Sequence, residues 1–444
     1  MRRMTIRALV VLSCLLASAF AQEAPKVVSL DPPEGAEVDA KVQTKLVVVF
    51  DRAMEQSSYS LCGGGPTFPT ARSKPKWISD TTLEFEVELA PDREYRIGLN
   101  CQGSANTKSK DGVPLIARSW TFTTMPGVLR PETEQRQRNQ LAFDLLFEAL
   151  QLRYSHRDVR VKDWEGLKEA AAKSALAART DRAFASAVAK ALAPTQDLHL
   201  WFTVNGSTIG VTSREVDALF RPQLLPRYVK SEKIDNATLY GRTDDGIGYL
   251  VIASWQKPVD PQRIGAAITE LMDCKAMVVD VRLNSGGDER LAQQVAAWFV
   301  RGEKVYGRHH VLDGAGKDGF GPVQERSLTG RDDGFEGPVA VLTSRCVMSS
   351  CESFVQMMRQ ANDCTVVGQP TYGSSGNPQP VDLQNGVTAM VPSWQDLRLD
   401  GTPIEGEGLA PDVLVACAPK DFETADPILE KALAVLREKV AAAK

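Results

Sequence analysis

Four short, uniformly apolar segments separated by helical patterns constrain the fold of this chain more than any other feature. The apolar segments lie at 248–253, 276–282, 339–343 and 365–368. Stretches with helical periodicity lie between them, at 261–272, 289–300 and 351–361. Buried strands that alternate with helices predict a layered α/β core. We assign residues 205–420 to this core and expect a C-terminal helix at 421–444.

Residues 25–125 have a different pattern, in which apolar and polar residues alternate. From Thr82 to Leu89 every second residue is apolar, and three glutamates stand between the apolar ones. This period of two predicts strands, and hence an all-β domain. The Phe-Asp-Arg-Ala-Met run at 50–54 and the closing Trp-Thr-Phe-Thr-Thr run at 120–124 resemble those of bacterial immunoglobulin-like (Ig-like) domains. The resemblance implies an Ig-like sandwich. We expect it to be a spacer or packing module, and the alternative is a ligand-binding domain.

A small helical subdomain is predicted between the all-β domain and the core, at residues 131–204. Apolar residues recur at three- and four-residue spacing from Phe143 to Tyr154, as on the buried face of a helix. We expect Asp163 to cap a second helix, and Thr180 or Asp181 to begin a third. The subdomain carries an Asp-Leu-His motif at 197–199.

The first 21 residues have the pattern of a secretory leader. A basic start is followed by an apolar run at 8–16 that is too short to span a bilayer, and by small residues at Ala19 and Ala21. We expect cleavage before Gln22, and an exported protein, periplasmic or extracellular, with no membrane span after cleavage. Two alternatives are a twin-arginine signal at 2–3 and lipoprotein attachment at Cys14.

Charge and cysteine content exclude several classes of protein. The formal net charge of −4 includes the basic residues of the leader, and no basic stripe is present, which argues against a nucleic-acid partner. No cysteine or histidine spacing suggests a zinc site, and we predict neither a metal nor a cofactor. Cys62 and Cys101 are the two cysteines of the all-β region and are candidates to pair. The oligomeric state is left open.

Ser349 is the first residue that suggests catalysis. It lies in Val-Met-Ser-Ser-Cys-Glu at 347–352, between a predicted strand and a predicted helix. Backbone N–H groups at the start of a helix point outward and can stabilise an oxyanion beside such a serine. The alternative is a serine that only caps the helix. Cys351 invites the idea of a disulfide that gates the site, but we favour a small buried helix residue.

Three further segments add candidate residues, each with an ordinary structural alternative. Gly286-Gly287 ends a buried strand, where glycines let the backbone approach a ligand and present bare N–H groups; the alternative is a plain strand-to-helix turn. His199 is either a general base or a structural histidine. Glu405 lies in a loop of glycines and prolines at 401–412, which is otherwise a polar surface loop.

Together and in this order, the segments resemble the tail-specific, C-terminal processing serine peptidase family over roughly residues 131–420. The family motifs are matched at 280–287, 349–352, 368–373 and 405–412, with Ser350 in place of an alanine. The resemblance implies a core resembling the crotonase and Clp peptidase superhelix, and a peptide or protein substrate.

The choice of general base follows from a departure at Ser374. One branch of the family uses a lysine at this position, but the chain has no lysine between Lys317 and Lys420. The other branch, which resembles the tricorn core protease and the retinoid-binding-protein-like peptidases, takes its base from an Asp-x-His segment. Asp197 to His199 match that segment. The stretch between the helical subdomain and the core is also too short for a PDZ domain, which favours the same branch.

The resemblance implies roles for the remaining residues. Ser349 is the nucleophile, His199 the base and Glu405 the acidic residue that orients it. The N–H groups of Gly287 and Ser350 form the oxyanion hole, and Gly286, Asp197 and Ser374 line the site. Leu198 replaces the serine that links histidine to glutamate in the tricorn core, so Glu405 acts directly or through water, or Asp197 or a backbone carbonyl orients the ring.

Other histidines and other functions complete the expectations. We expect His156 to be a solvated helix cap, and His309 and His310 to be structural residues in a strand. The leading hypothesis is a serine peptidase, since Ser349 and His199 occur together with the glycine pair and Glu405. The alternatives are a catalytically silent member of the fold that binds peptides or apolar ligands, and a crotonase-like acyl-CoA enzyme.

Overall fold

The computed structural model describes residues 23–101, 104–313 and 319–442. The predicted leader at 1–21 therefore lies outside the described residues. The chain divides into two compact units, Met1–Gly127 and Val128–Lys444. Within the described ranges, no helix combines the length and apolar character needed to cross a membrane.

Among its described residues, the first unit contains nine strands in two sheets. They are β1 (Val27–Asp31), β2 (Glu37–Val38), β3 (Lys45–Phe50), β4 (Leu61–Cys62), β5 (Thr70–Ala71), β6 (Lys76–Ser79), β7 (Thr82–Glu88), β8 (Glu94–Leu99) and β9 (Arg118–Thr124). One sheet has the order β1-β3-β7-β5 with β6 also paired to β7, and the other has the order β2-β9-β8-β4.

The two sheets enclose one apolar core, as the alternating pattern predicts. Leu83, Phe85 and Val87 of β7 are buried, and the ring of Phe85 meets Trp120 of β9 edge-on across the core. Cys62 and Cys101, the expected candidates, form a disulfide. The all-β prediction for this region is therefore confirmed.

The second unit begins with four helices and continues with fourteen strands and four further helices among the described residues. The helices are α1 (Glu132–Arg153), α2 (Arg157–Arg160), α3 (Trp164–Ala175), α4 (Asp181–Leu192), α5 (Pro261–Glu270), α6 (Glu289–Ala296), α7 (Ser350–Met358) and α8 (Pro427–Ala442). The strands are β10 (Trp201–Val204), β11 (Ser207–Gly210), β12 (Lys230–Lys233), β13 (Thr238–Arg242), β14 (Ile247–Ile252), β15 (Ala276–Asp280), β16 (Glu303–Val311), β17 (Gln324–Thr329), β18 (Val339–Thr343), β19 (Cys364–Gly368), β20 (Gln379–Asp382), β21 (Val387–Val391), β22 (Trp394–Leu397) and β23 (Val413–Leu414).

A seven-stranded sheet with the order β12-β13-β14-β15-β18-β19-β23 forms the centre of this unit. Strands β14, β15, β18, β19 and β23 are parallel, and β12 and β13 are antiparallel. Strands β14, β15 and β18 are completely buried, with apolar clusters on both faces of the sheet. The four apolar segments of the sequence are thus central strands, and the layered α/β prediction is confirmed.

The parallel arrangement brings the chemically interesting loops together. Strands β15, β18 and β19 are neighbours, so the loops after their carboxyl ends lie at the same edge of the sheet. The loop after β15 carries Gly286-Gly287, that after β18 carries Ser349, and that after β19 carries Ser374.

The helical segment packs on a smaller sheet with the order β11-β10-β21-β20. Asp163 and Thr180 cap α3 and α4 by accepting hydrogen bonds from the backbone N–H groups of Gly166 and Ala183, as expected. The shared core joins Phe143 and Phe184 from the helices to Val387 and Val391 from late in the chain. The helical segment and the later strands therefore belong to one compact unit, and His199 lies between α4 and β10.

Candidate active site

Ser349 stands at the N-cap of α7 in a strained backbone conformation. Its φ of 57° and ψ of −134° place it in a region that residues other than glycine rarely adopt. Such strain persists only where the surroundings fix it, and it is concentrated at functional sites. The side chain is half-buried, at the positive end of the helix dipole.

The glycine pair fits against this turn so closely that side chains are excluded. A Cβ at Gly286 would lie 2.8 Å from Cβ of Ser349 and 2.9 Å from the carbonyl oxygen of Met348. A Cβ at Gly287 would lie 2.3 Å from the carbonyl oxygen of Trp255. The glycines at φ 101° and 140° thus allow a backbone approach that no other residue permits.

The other residues of the glycine motif hold it in place. Asn284 accepts a hydrogen bond from the N–H of Gly286 at 2.9 Å and donates to the carbonyl oxygen of Ile252 at 3.1 Å. The Arg282 guanidinium is fully buried between the carboxylates of Asp280 and Asp426. These residues are structural, and they fix the loop that carries the glycines.

Ser350 joins the glycine loop to the helix. Its hydroxyl donates to the carbonyl oxygen of Gly287 at 2.7 Å. Among the described residues, no hydrogen bond occupies the backbone N–H of Ser350 or that of Gly287. Two backbone N–H groups without a hydrogen-bond partner therefore lie on segments that this hydrogen bond joins, next to the turn that carries Ser349.

Glu352, in the first turn of α7, ties the serine turn to the loop after β19. Its carboxylate accepts from the backbone N–H groups of Ser349 at 3.1 Å, Gly373 at 2.8 Å and Ser374 at 3.2 Å, and from the hydroxyl of Thr371. Burial raises the pKa of Glu352 to about 8, while these donors favour the ionised form. The residue is an anchor for both segments.

His199 is connected to the serine turn through Ser374. Its Nδ1 lies 3.0 Å from Oγ of Ser374, and the carbonyl oxygen of Ser374 accepts from the N–H of Ser349 at 2.8 Å. The ring and the Ser349 hydroxyl are not hydrogen bonded to each other in this state. Ser374 therefore lies between His199 and Ser349 and forms a hydrogen bond with each. The His199 ring contacts Ser374 and not Glu405.

Asp197 holds the backbone of His199 rather than its ring. One carboxylate oxygen of Asp197 accepts from the N–H of His199 at 2.8 Å. The other accepts from the hydroxyl of Tyr154 at 2.9 Å and lies 3.0 Å from Nδ1 of His156. Asp197 is completely buried, so these contacts replace its hydration.

Glu405 lies on the far side of the same cluster. Its carboxylate pairs with Arg160, accepts from the N–H of Ser375 at 3.0 Å, and lies 3.7 Å from Nε2 of His156. It makes no hydrogen bond to His199. The sequence-predicted residues are thus all brought to one region, with Glu405 reaching the base through other groups.

The prediction that His156 is a solvated cap is wrong. Its side chain is only 1% exposed, and it lies between Asp197 and Glu405. Burial disfavours the charged ring, but the two carboxylates outweigh burial and raise its pKa. The expectation of a strand at His309 and His310 is confirmed, because both belong to β16.

The pKa values of the two histidines in the cluster shift in opposite directions, because that of His156 is raised and that of His199 is lowered. Burial lowers the pKa of His199, and the nearby cations His156 and Arg160 lower it further, while Asp197 and Glu405 act against them. Burial alone would raise the pKa of Asp197, but His156 and Arg160 bring it down to about 2. His199 is therefore neutral at pH 7, as a general base must be.

Cys351 is fully buried in α7, and burial raises the pKa of its thiol well above its usual range. It is unpaired, as the favoured interpretation of a small buried residue requires. Among residues 23–101, 104–313 and 319–442, no cluster of histidine, cysteine and acidic side chains has an arrangement that could hold a metal ion.

The region holds the groups that serine acyl transfer uses. They are a serine at the start of a helix, backbone N–H groups without a hydrogen-bond partner near it, and a neutral histidine connected to it through Ser374. Comparison with known proteins agrees. The profile of Peptidase family S41 matches residues 246–415. The carboxy-terminal processing protease CtpB of Bacillus subtilis (strain 168) is 23% identical over 184 residues, which are 41% of this chain and 36% of that protein. The chain thus matches about a third of the length of this curated relative.

Two solved structures share the fold. A Parabacteroides merdae ATCC 43184 protein with a provisional peptidase assignment superposes with a TM-score of 0.58 and 24% identity, over 67% of this chain and 96% of that one. Mature CPAF in complex with lactacystin gives a TM-score of 0.50 and 12% identity, over 69% and 100%. Residues 246–415 are therefore similar to Peptidase family S41, a family of serine-type peptidases, and the predicted resemblance to C-terminal processing peptidases is confirmed.

Sequence reasoning missed three residues of the site. The sequence indicates Glu352 only as part of a motif, and Tyr154 only as a helix residue. Arg160 carried no signal, because one arginine in a short helical turn looks like any surface cation. The sequence gives one indication at Leu198. Because leucine has no hydroxyl there to contact the ring of His199, the histidine requires another partner.

Proposed function

We propose that this chain is an exported serine peptidase that cleaves peptide bonds through an acyl-enzyme on Ser349, with His199 as general base. The observation that carries the proposal is the path through Ser374. The carbonyl oxygen of Ser374 accepts a hydrogen bond from the N–H of Ser349 at 2.8 Å. The hydroxyl of Ser374 is hydrogen bonded to Nδ1 of His199 at 3.0 Å. Base and nucleophile therefore meet at one residue, although they are far apart in sequence.

The proposed reaction begins with attack of Oγ of Ser349 on the scissile carbonyl carbon. Nε2 of His199 takes the hydroxyl proton. This requires that Nδ1 carry the ring hydrogen, which it uses to donate a hydrogen bond to the Ser374 hydroxyl. The tetrahedral intermediate collapses as the imidazolium returns the proton to the leaving amine. Water, activated by the same imidazole, then releases the acyl group and restores Ser349.

Gly287 and Ser350 supply the proposed oxyanion hole. Their N–H groups have no hydrogen-bond partner among the described residues, and the start of α7 adds its dipole. The hydroxyl of Ser350 fixes the distance between the two segments through Gly287. Preorganised donors of this kind stabilise charge that develops only in the transition state.

Glu405 acts at a distance in this proposal. It neutralises Arg160 and fixes the backbone of Ser375, the residue after Ser374. Ser374 takes the place of the hydroxyl that Leu198 lacks. The His199 ring is therefore oriented from the nucleophile loop, and Glu405 supports the two loops that meet there.

Export and domain identity are further parts of the proposal. The disulfide between Cys62 and Cys101 supports an oxidising compartment, periplasmic or extracellular, in agreement with the leader-like start. The two facing sheets of residues 25–125 support an Ig-like sandwich, and the helix-flanked parallel sheet supports a crotonase-like core. Sequencing the N-terminus of the exported protein tests the first point, with Gln22 as the expected first residue.

A fluorophosphonate probe tests the proposed chemistry without knowledge of the substrate. We expect labelling of the wild-type protein on Ser349, no labelling of Ser349→Ala, and much slower labelling of His199→Ala. Mass spectrometry of the labelled peptide identifies the modified serine and separates Ser349 from Ser350. A well-folded wild type that is not labelled would instead indicate a silent binding member of the fold.

A further inference from the structure

Arg160 is a mostly buried cation between the loop that carries His199 and the loop that carries Glu405. We propose that Arg160 is a positioning residue of the peptidase site, which fixes residues 195–199, and through them the base, and couples that loop to Glu405. This inference deepens the proposed function and rests on it. The residue ends α2, a single turn in the helical segment.

The Arg160 guanidinium donates hydrogen bonds to three acceptors and lies close to a second carboxylate. Nη1 of Arg160 donates to the carbonyl oxygens of Thr195 and Gln196, each at 2.9 Å. Nη2 donates to the Glu405 carboxylate, and Nε lies 3.7 Å from the carboxylate of Asp197. The contacts fall on both sides of the cluster, so removal of Arg160 releases both loops at once.

The loop before His199 requires such a clamp. Gln196 is in the left-handed conformation at φ 48°, which is unfavourable for a residue with a side chain. The 3-10 turn before it, Ala193–Thr195, ends in carbonyl groups that need donors. Arg160 supplies two of these donors, and the next residue, Asp197, then holds the N–H of His199.

The cluster also has a charge balance that Arg160 completes. Asp197 and Glu405 are two buried carboxylates, and Arg160 and a protonated His156 are the two cations beside them. Leaving a buried charge without its partner is strongly unfavourable. His199 lies next to all four groups, so loss of one cation changes the electrostatic potential at the base.

Two substitutions separate the shape of the side chain from its charge. Arg160→Met removes both, and Arg160→Lys keeps a charge without the planar fork that reaches several acceptors. Rates are measured on the mature chain, with a fluorophosphonate probe over a range of pH. The maximal rate and the half-saturating probe concentration are determined separately. The midpoint of the acid limb reports the pKa of His199.

We expect Arg160→Met to lower the maximal labelling rate about 10²-fold, the size of effect seen when a catalytic group is displaced by about 1 Å. Its acid limb should move to higher pH, because a cation that lowers the pKa of His199 is gone. Arg160→Lys should also be slow but keep the wild-type limb. Glu405→Gln should move the limb in the opposite direction, to lower pH.

Arg157→Met is the matched control. Arg157 lies on the same helical turn, but its guanidinium pairs with its neighbour Asp158 at the surface. Its labelling rate and acid limb should equal those of the wild type. A folded Arg160→Met with wild-type rate and limb overturns the inference. If that variant does not fold, a wild-type rate for Arg160→Lys overturns it equally. A folded wild type that is never labelled contradicts the proposed function instead.

Discussion

The nucleophile side and the base side of the site are built in different ways. On the nucleophile side, Gly286, Gly287 and Ser349 follow directly from the ends of β15 and β18. Close backbone contacts hold them, together with Asn284 and Glu352 from the same motifs. On the base side, buried side chains from distant parts of the chain hold one another: Tyr154, His156, Arg160, Asp197 and Glu405. Pairing of β15 with β18 is enough to bring the first set together, whereas the second set requires contacts among side chains from several distant segments.

The buried ionisable groups of the base side also make its stability depend on pH. The pKa of Asp197 is depressed, so its contribution to stability is present above its ordinary value of about 3.8 and is lost as the pH falls towards 2. The pKa of His156 is raised, so its contribution is complete below about 6.5 and is lost as the pH rises through the folded value. Stability on the base side therefore depends on pH at both ends.

The strongest test asks whether the two sides form one catalytic unit. Ser349→Ala and His199→Ala should each lower kcat/KM by about 10⁴- to 10⁶-fold, and the double variant should be no worse than the more affected single variant. When two residues act in the same step, removal of either one already abolishes that step, and removal of the second lowers the rate little further. If the two rate losses multiply in the double variant, Ser349 and His199 act independently, and the two sides do not form one catalytic unit. Steady-state kinetics on a peptide library measures all three.

The sequence predicts the nucleophile side well because each of its constraints is local. The apolar runs predict β15, β18 and β19 to within two residues, and the glycine pair predicts the close approach to Ser349. The base side is predicted only in part. A motif predicts Asp197 and His199. The sequence does not predict that His156 is buried, because its partners lie 41 positions away at Asp197 and still further along at Glu405.

The role of Ser374 shows the same limit. The sequence identifies it as a site residue because it stands where a lysine is absent. The bond from its hydroxyl to His199 spans 175 positions and depends on how the loop after β19 meets the loop before β10. No periodicity or local propensity contains that information, since it arises from tertiary packing.

A glycine substitution tests the local character of the nucleophile side. Gly286→Ala should lower kcat/KM by about 10²- to 10³-fold, because the new Cβ would displace Ser349 and the donors beside it. Gly246→Ala is the matched control, since Gly246 also has a positive φ, of 82°, but no atom within 4 Å of its Cβ position. The control should lose about 1 kcal/mol of stability and little activity. Equal activity losses would show that backbone strain alone is responsible.

Ser374→Ala tests the junction between the two sides. We expect a loss of about 10- to 10²-fold in kcat with little change in KM, because His199 loses the partner of its Nδ1 but remains present. Ser375→Ala is the comparison, since its hydroxyl bonds to the buried Asp396 at 3.1 Å and its loss should mainly lower the melting temperature. A wild-type kcat for Ser374→Ala would mean that another group orients the ring.

The smallest effect is expected at Ser350, where the nucleophile side uses a side chain. Its hydroxyl donates to Gly287 at 2.7 Å and so links the two segments of the oxyanion hole. Ser350→Ala removes one half-exposed hydrogen bond, worth about 0.5–1.5 kcal/mol, which corresponds to roughly a two- to tenfold loss of kcat/KM. Ser350→Thr keeps the hydroxyl and should restore the rate. If the alanine variant is as active as the wild type, the close backbone packing, with Asn284 and Glu352, aligns the oxyanion donors without this hydroxyl, and the contrast between the two sides becomes sharper.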